Sequence, residues 1–138
     1  MRKSIDLDLS SNPDDSTVLS SSLGEFLDEL HIPESAKYDI LICCDEVFSN
    51  IYMHAYDSRR DGRIKVSARA DRGSVTIVFT DYGSKVFPSG QPVSLPSASR
   101  NRGGYGLYII HKLMDEVRTS RTKAGNQFLM RKIYSKMN

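Results

Sequence analysis

Between Pro33 and Asp57, Ile40, Cys44, Val47, Phe48, Ile51 and Ala55 recur at i, i+4, i+7, i+8, i+11 and i+15, the spacing of one buried helical face. The run predicts a helix that opens at Pro33-Glu34 and ends near Asp57, where Ser58-Arg59-Arg60-Asp61-Gly62 makes a polar turn. Any fold for this chain must cover one side of that helix. Glu46 and Asn50 fall on an adjoining stripe one turn apart, about 6 Å along the axis. A carboxylate able to take a proton and an amide oxygen able to ligate a hard cation thus share one ridge. Taken alone, such a pair is most often a solvated edge, and the rest of the chain has to decide.

Upstream, Ile5, Leu7 and Leu9 alternate with polar residues as in a half-exposed strand. Asn12-Pro13-Asp14-Asp15 then looks like a helix start with Asn12 as the N-cap, followed by the apolar face Leu19, Leu23, Phe26, Leu27 and Leu30. Downstream, Ile64, Val66, Ala68 and Ala70 alternate in a strand, Asp71-Arg72-Gly73 turns the chain, and Val75–Thr80 returns. Residues 84 to 102 show no hydrophobic period and hold Pro88, Pro92 and Pro96, which predicts a functional loop of the lid type. Gly103-Gly104-Tyr105-Gly106 opens a third helix with Leu107, Ile110, Leu113 and Met114 on its apolar face. Val117–Thr122 and Gln127–Tyr134 read as a terminal hairpin around Lys123-Ala124-Gly125-Asn126. This order predicts an α+β fold, a two-layer α/β sandwich with a mixed β-sheet and helices on one face.

The 138 residues suit one domain spanning 1–138. A formal charge of +2 with no Lys/Arg block leaves no electrostatic footprint for nucleic acid. The N-terminus carries acids where a signal peptide needs an apolar core, and no run is long enough to cross a membrane, so a cytoplasmic protein is expected. Cys43 and Cys44 are adjacent on the predicted helix and point about 100° apart, which disfavours a mutual disulfide. Without His partners they form no zinc site and are expected as small buried hydrophobes.

Two further stretches carry chemistry. Gly103-Gly104-Tyr105-Gly106-Leu107 puts glycines at a helix N-terminus, where free N–H groups and the dipole suit a phosphate, although no Gly-Lys-Ser/Thr follows as in a Walker A loop. Asp81-Tyr82-Gly83 follows a strand end. Its carboxylate can accept from an exocyclic amine, and its glycine permits a sharp turn against a flat base.

The three sets stand in a fixed order, and that order carries a resemblance. Glu46-x-x-x-Asn50 resembles the N-box of the GHKL (Bergerat-fold) ATPases. Asp81-x-Gly83 resembles their G1 box, and Gly104-x-Gly106-Leu107 their G2 box, with the lid, approximately 84–103, between them. Asp45-Glu46, His54-Ala55-Tyr56 and the run from Gly103 to Val117 look most like the anti-sigma-factor serine kinases of that superfamily.

The resemblance implies a Bergerat ATP-binding fold with ATP and Mg²⁺ as ligands. It implies Glu46 as general base, Asn50 as Mg²⁺ ligand, Asp81 as acceptor of the adenine amine and Gly83 as the turn against the base. Arg102, Gly103, Gly104, Tyr105, Gly106 and Leu107 would form the phosphate-facing helix start, and Lys85, Arg100 and Arg102 would lie where they can neutralise phosphate charge. Gly125-Asn126 stands where many members carry Gly-Thr, which makes Asn126 a candidate adenine contact, and the second glycine of the longer G1 form is missing. His54 is expected near the site or at the surface rather than as a phospho-acceptor.

The implied function is an ATP-dependent protein serine kinase that also sequesters an RNA polymerase sigma factor. A STAS-domain antagonist would compete for the kinase until phosphorylated on serine, and the kinase would be a homodimer. A nucleotide-sensing regulatory module without significant phosphotransfer is the alternative. A histidine-kinase fragment would need a phospho-acceptor helix pair upstream and a gyrase-like ATPase a transducer domain downstream; neither is expected.

Overall fold

A computed structural model of the chain describes residues 3–84 and 102–135, with residues 102–105 described by backbone alone. In strand β1 (Ser4–Ser10) Asp6 and Asp8 are exposed while Ile5, Leu7 and Leu9 turn toward the core. Helix α1 (Asp15–Glu29) begins later than Asn12 as N-cap would require. Asn12 Oδ1 still accepts the Asp14 N–H at 3.0 Å, but the Asp15 and Ser16 N–H groups bond back to the Asn12 and Pro13 carbonyls at 2.8 and 3.1 Å. The first turn therefore winds at i→i+3, and the α-ladder starts only at Asp15. The Asp15 carboxylate accepts the Ser10 N–H at 2.8 Å and ties helix to strand.

Helix α2 (Glu34–Asn50) opens where its sequence predicts, yet stops as an α-helix at Asn50 and continues as a π-helical turn, Ile51–Ala55. The Tyr56 N–H reaches back five residues to the Ile51 carbonyl at 3.1 Å. Ala55 at the end of this turn and Tyr56 after it are both buried.

Strands β2 (Arg63–Asp71) and β3 (Ser74–Asp81) form the expected hairpin. Helix α3 (Arg102–Leu113) is followed by β4 (Glu116–Thr122) and β5 (Gly125–Ile133). The terminal hairpin turns through Lys123 and Ala124 alone, since Thr122 already pairs with Gly125. Gly125 takes a φ of 121°, and Thr122 Oγ1 accepts the Ala124 N–H at 3.0 Å. Asn126 thereby belongs to a strand rather than to the turn in which its sequence context places it.

The sheet order is β1-β2-β3-β5-β4. Its four pairings are all antiparallel, which corrects the expected mixed sheet. The reason is topological. The paired helices α1 and α2 return the chain to the end it left, so β2 runs against β1. The single helix α3 sets β4 in the same direction as β3, but β5 inserts between them and removes the one parallel contact.

The helix-facing residues Ile64, Val66, Ala68, Val75, Ile77, Phe79, Phe128 and Met130 join Phe26, Leu27, Ile40, Val47 and Phe48 in one hydrophobic core. Burying each such large side chain contributes about 1.5–3 kcal/mol. Helix α3 is held at its C-terminal end by Lys132, whose Nζ donates to the Leu113 carbonyl at 2.7 Å and pairs with Asp39 of α2 at 3.0 Å. Among the described residues, no helix is long and apolar enough to cross a membrane.

Candidate functional site

The sheet register sets one half of the site. Alternation puts Phe79, Ile77 and Phe128 on the helix-facing side, and the same period carries Asp81 and its pairing partner Asn126 onto that side at the end of the ladder. Both are buried, Asp81 at 4 % and Asn126 at 5 % exposure. Buried polar groups need partners, and here they find each other. Asn126 Nδ2 donates to Asp81 Oδ1 and to the Gly83 carbonyl, both at 2.9 Å, and the Gly83 N–H donates to Asp81 Oδ1 at 3.0 Å. Burial pushes the Asp81 carboxyl above its usual range, while the bonds from Asn126 and Gly83 and the charge of Arg121 pull it back. The bonds from Asn126 and Gly83 both fall on Oδ1, and Oδ2 is the second oxygen through which the carboxylate can accept from a ligand.

Helix α2 supplies the other half. Glu46 is half-buried, and desolvation, with a smaller push from the charge of Asp45, raises its carboxyl above the ordinary glutamate value. Asn50 is 2 % exposed, and its Nδ2 has no hydrogen-bond partner among the described residues. An unsatisfied buried donor of this kind costs about 1–3 kcal/mol and marks a place where a partner is missing. Gly106 of α3 packs against both: a Cβ there would stand 2.5 Å from Glu46 Oε2 and 3.2 Å from Asn50 Nδ2. Among the described residues no three His, Cys, Asp or Glu side chains cluster as a metal cage.

The two halves meet at the end of the π-turn. A Cβ at Gly83 would collide with the Ala55 carbonyl oxygen and stand 2.8 Å from its carbon, so the turn after β3 lies directly on the helix that carries Glu46 and Asn50. A depression of about 160 Å³ lined by Tyr82, Gly83, Arg121, Thr122, Lys123, Gly125 and Asn126 opens beside this junction.

The structure thus brings Glu46, Asn50 and Gly106 together, and Asp81, Gly83 and Asn126 together. Leu107 follows on α3, half-buried. Arg102, Gly103, Gly104 and Tyr105 lie in the first turn of α3, their side chains outside the described residues. Lys85, Arg100 and nearly all of the lid stretch 84–103 also fall outside them. His54 is exposed on the π-turn. Cys43 and Cys44 are buried and free, the Cys43 thiol pushed up to about 12 by desolvation. Sequence reasoning missed Arg121, whose charge acts on Asp81, and Tyr56, whose hydroxyl accepts the Tyr82 N–H at 2.8 Å. Tyr56 is legible in the sequence only as part of the His54-Ala55-Tyr56 run that carries the family resemblance.

Residues 9–132 match the histidine kinase-like ATPase domain. The chain is 26% identical over 121 residues to an anti-sigma F factor of Halalkalibacterium halodurans, covering 86% of this chain and 83% of that one. It is likewise 26% identical over 115 residues to an anti-sigma F factor of Clostridium novyi, covering 80% of each. Its fold superposes with a TM-score of 0.68 on the crystal structure of the RsbU and RsbW domains of Rv1364c from Mycobacterium tuberculosis, at 18% identity, over 96% of this chain and 32% of that one.

Proposed function

The chain belongs to the family of histidine kinase-like ATPase domains, and on that premise we propose that it is an ATP-dependent protein serine kinase and anti-sigma factor of a partner-switching system. Membership of the family implies ATP binding. The observation that carries the rest is the buried Asn50, whose Nδ2 has no partner among the described residues, beside a desolvated Glu46 carboxylate, both packed against Gly106 in α3. These residues fit a Mg²⁺-bound triphosphate: the Asn50 side-chain oxygen would be a hard ligand for the metal, and its Nδ2 would donate to a phosphate oxygen. Mg²⁺, when bound, would neutralise charge developing on the transferring phosphoryl group.

The residues of this chain do the remainder. Asp81, held by Asn126 and Gly83, accepts from the exocyclic amine of adenine. Gly83 lets the base approach the backbone. The N–H groups at the start of α3 face the phosphates. Glu46 accepts the proton of an incoming serine hydroxyl as its oxygen bonds to the γ-phosphorus and the bond to ADP breaks. Its raised pKa strengthens it as a base compared with an ordinary surface glutamate.

The anti-sigma F factor relatives support an RNA polymerase sigma factor as the partner held by the ATP-bound kinase, and the motif resemblance supports a STAS-domain antagonist as the phosphorylated substrate. We place the whole chain, residues 1–138, in the cytoplasm as one domain working as a homodimer. The test is incubation with labelled ATP, Mg²⁺ and candidate STAS-domain proteins, with sigma-factor capture measured in parallel. Label on a serine of the STAS partner supports the kinase. Nucleotide-dependent capture without label transfer would overturn it in favour of the nucleotide-sensing module.

A further inference from the structure

We infer that Tyr56 is a positioning residue, setting the Asp81 acceptor from the end of the same helix that carries Glu46 and Asn50. The inference rests on the reading of Asp81 as the adenine acceptor. Tyr56 is 4 % exposed, and its hydroxyl sits between two strand ends. It accepts the Tyr82 N–H at 2.8 Å, just past β3, and donates to the Arg63 carbonyl at 2.6 Å, at the start of β2. The ring is fixed from two sides. The Arg59 guanidinium lies 5.9 Å from its centroid, and Gly62 packs so close that a Cβ there would stand 2.5 Å from Cγ.

The neighbouring residue reinforces the same turn. The Ala55 carbonyl lies against Gly83, so Ala55 and Tyr56 between them hold both residues that follow Asp81. The Gly83 N–H in turn donates to Asp81 Oδ1. A displacement of the Tyr82 peptide is therefore transmitted to the carboxylate through one further bond. Both contacts come from the end of the π-turn: Ala55 is its last residue and Tyr56 follows it. The distance between the adenine end and the Glu46/Asn50 end of the site is thereby set within one helix.

Tyr56→Phe keeps the ring and removes only the bridging hydroxyl. Mg·ATP and Mg·GTP affinities are measured by competition on the variant and the parent, with melting temperature followed in parallel. The expected result is that ATP binds about tenfold more weakly while GTP affinity is unchanged, because only the adenine acceptor has lost its setting. Equal weakening of both nucleotides would mean a general structural role and overturn the inference, as would no change in either. Amide exchange at Tyr82 gives a second readout: it should quicken in the variant, and an unchanged rate would also overturn the inference. Asp81→Asn is measured alongside. If it leaves ATP affinity intact, the adenine reading fails and takes this inference with it. If it weakens ATP while Tyr56→Phe does not, the positioning role alone fails.

Discussion

Glu46 of α2 and Gly106 of α3 face each other so closely that a Cβ at 106 would come within 2.5 Å of the Glu46 carboxylate oxygen. The glycine is there because the carboxylate occupies the space a side chain would need. Helix packing and the proposed chemistry therefore meet at one contact.

Gly106→Ala should separate fold from catalysis. The atom displaced is the far end of a flexible side chain, which can swing away, so the melting temperature should move by only a few degrees (about 1 kcal/mol). The swung carboxylate no longer meets the incoming hydroxyl, and phosphotransfer should fall about 10²-fold or more. Thermal melts and a single-turnover assay on the same preparation check both halves; transfer at the parent rate would remove Glu46 from the chemistry.

Glu46→Gln keeps shape and hydrogen bonding but cannot take a proton. Mg·ATP affinity should stay near that of the parent while transfer to the STAS partner falls about 10²–10⁴-fold. The pH dependence has a definite sign. Because folding raises this carboxyl's pKa, the parent's rate should fall as pH drops through a value above the ordinary glutamate range. The same shift means that the desolvation penalty of charged Glu46 is fully present above the folded pKa and is relieved below it. At neutral pH the uncharged Gln variant should therefore melt no lower than the parent, and a clear drop in melting temperature would count against a desolvated Glu46.

Asp81→Asn removes the anionic acceptor while leaving a side chain that Asn126 can still bond. ATP affinity should fall by about 1–3 kcal/mol, since an amine donor loses its charged partner. Calorimetry with ATP as titrant measures this directly, and unchanged affinity would dismiss the adenine assignment. In the parent, lowering pH through the raised Asp81 pKa should weaken ATP in the same direction.

Asn50→Ala should cancel a stabilisation that only the ligand supplies. In the free protein the buried Nδ2 has no described partner, so its removal relieves an unsatisfied donor and partly offsets the lost packing. Added Mg·ATP raises the parent's melting temperature by mass action, and this increment should vanish in the variant and when EDTA is added to the parent. Equal increments with and without the metal would argue against Asn50 as a ligand.

The elements of this fold were legible because their signals are local. The stripe Ile40–Cys44–Val47–Phe48–Ile51 and the alternation Ile64–Val66–Ala68 report burial through period alone, and every one of those residues is buried. The Glu46/Asn50 pair was visible for the same reason, since one helical turn puts them together whatever surrounds them. The order of the three motif sets pointed to the family, and residues 9–132 match it.

What the sequence could not show depends on contacts between distant segments. Strand direction was misread because β5 inserts between β3 and β4, a choice that no local period encodes. The π-turn escaped because one extra residue hardly disturbs an apolar stripe, yet its effect is felt at Gly83, some thirty residues on. Asn126 was read into a turn. Only the pairing of Thr122 with Gly125 moves it into a strand, opposite Asp81 and 45 residues from it in sequence. By itself, then, the sequence determined which segments are helix and strand and which residues carry reactive groups, because propensity and periodicity act over a few neighbouring residues. Tertiary structure alone decided which of those groups face one another, because that depends on how buried polar atoms such as those of Asp81, Asn126 and Tyr56 find partners when the sheet and helices close over one core.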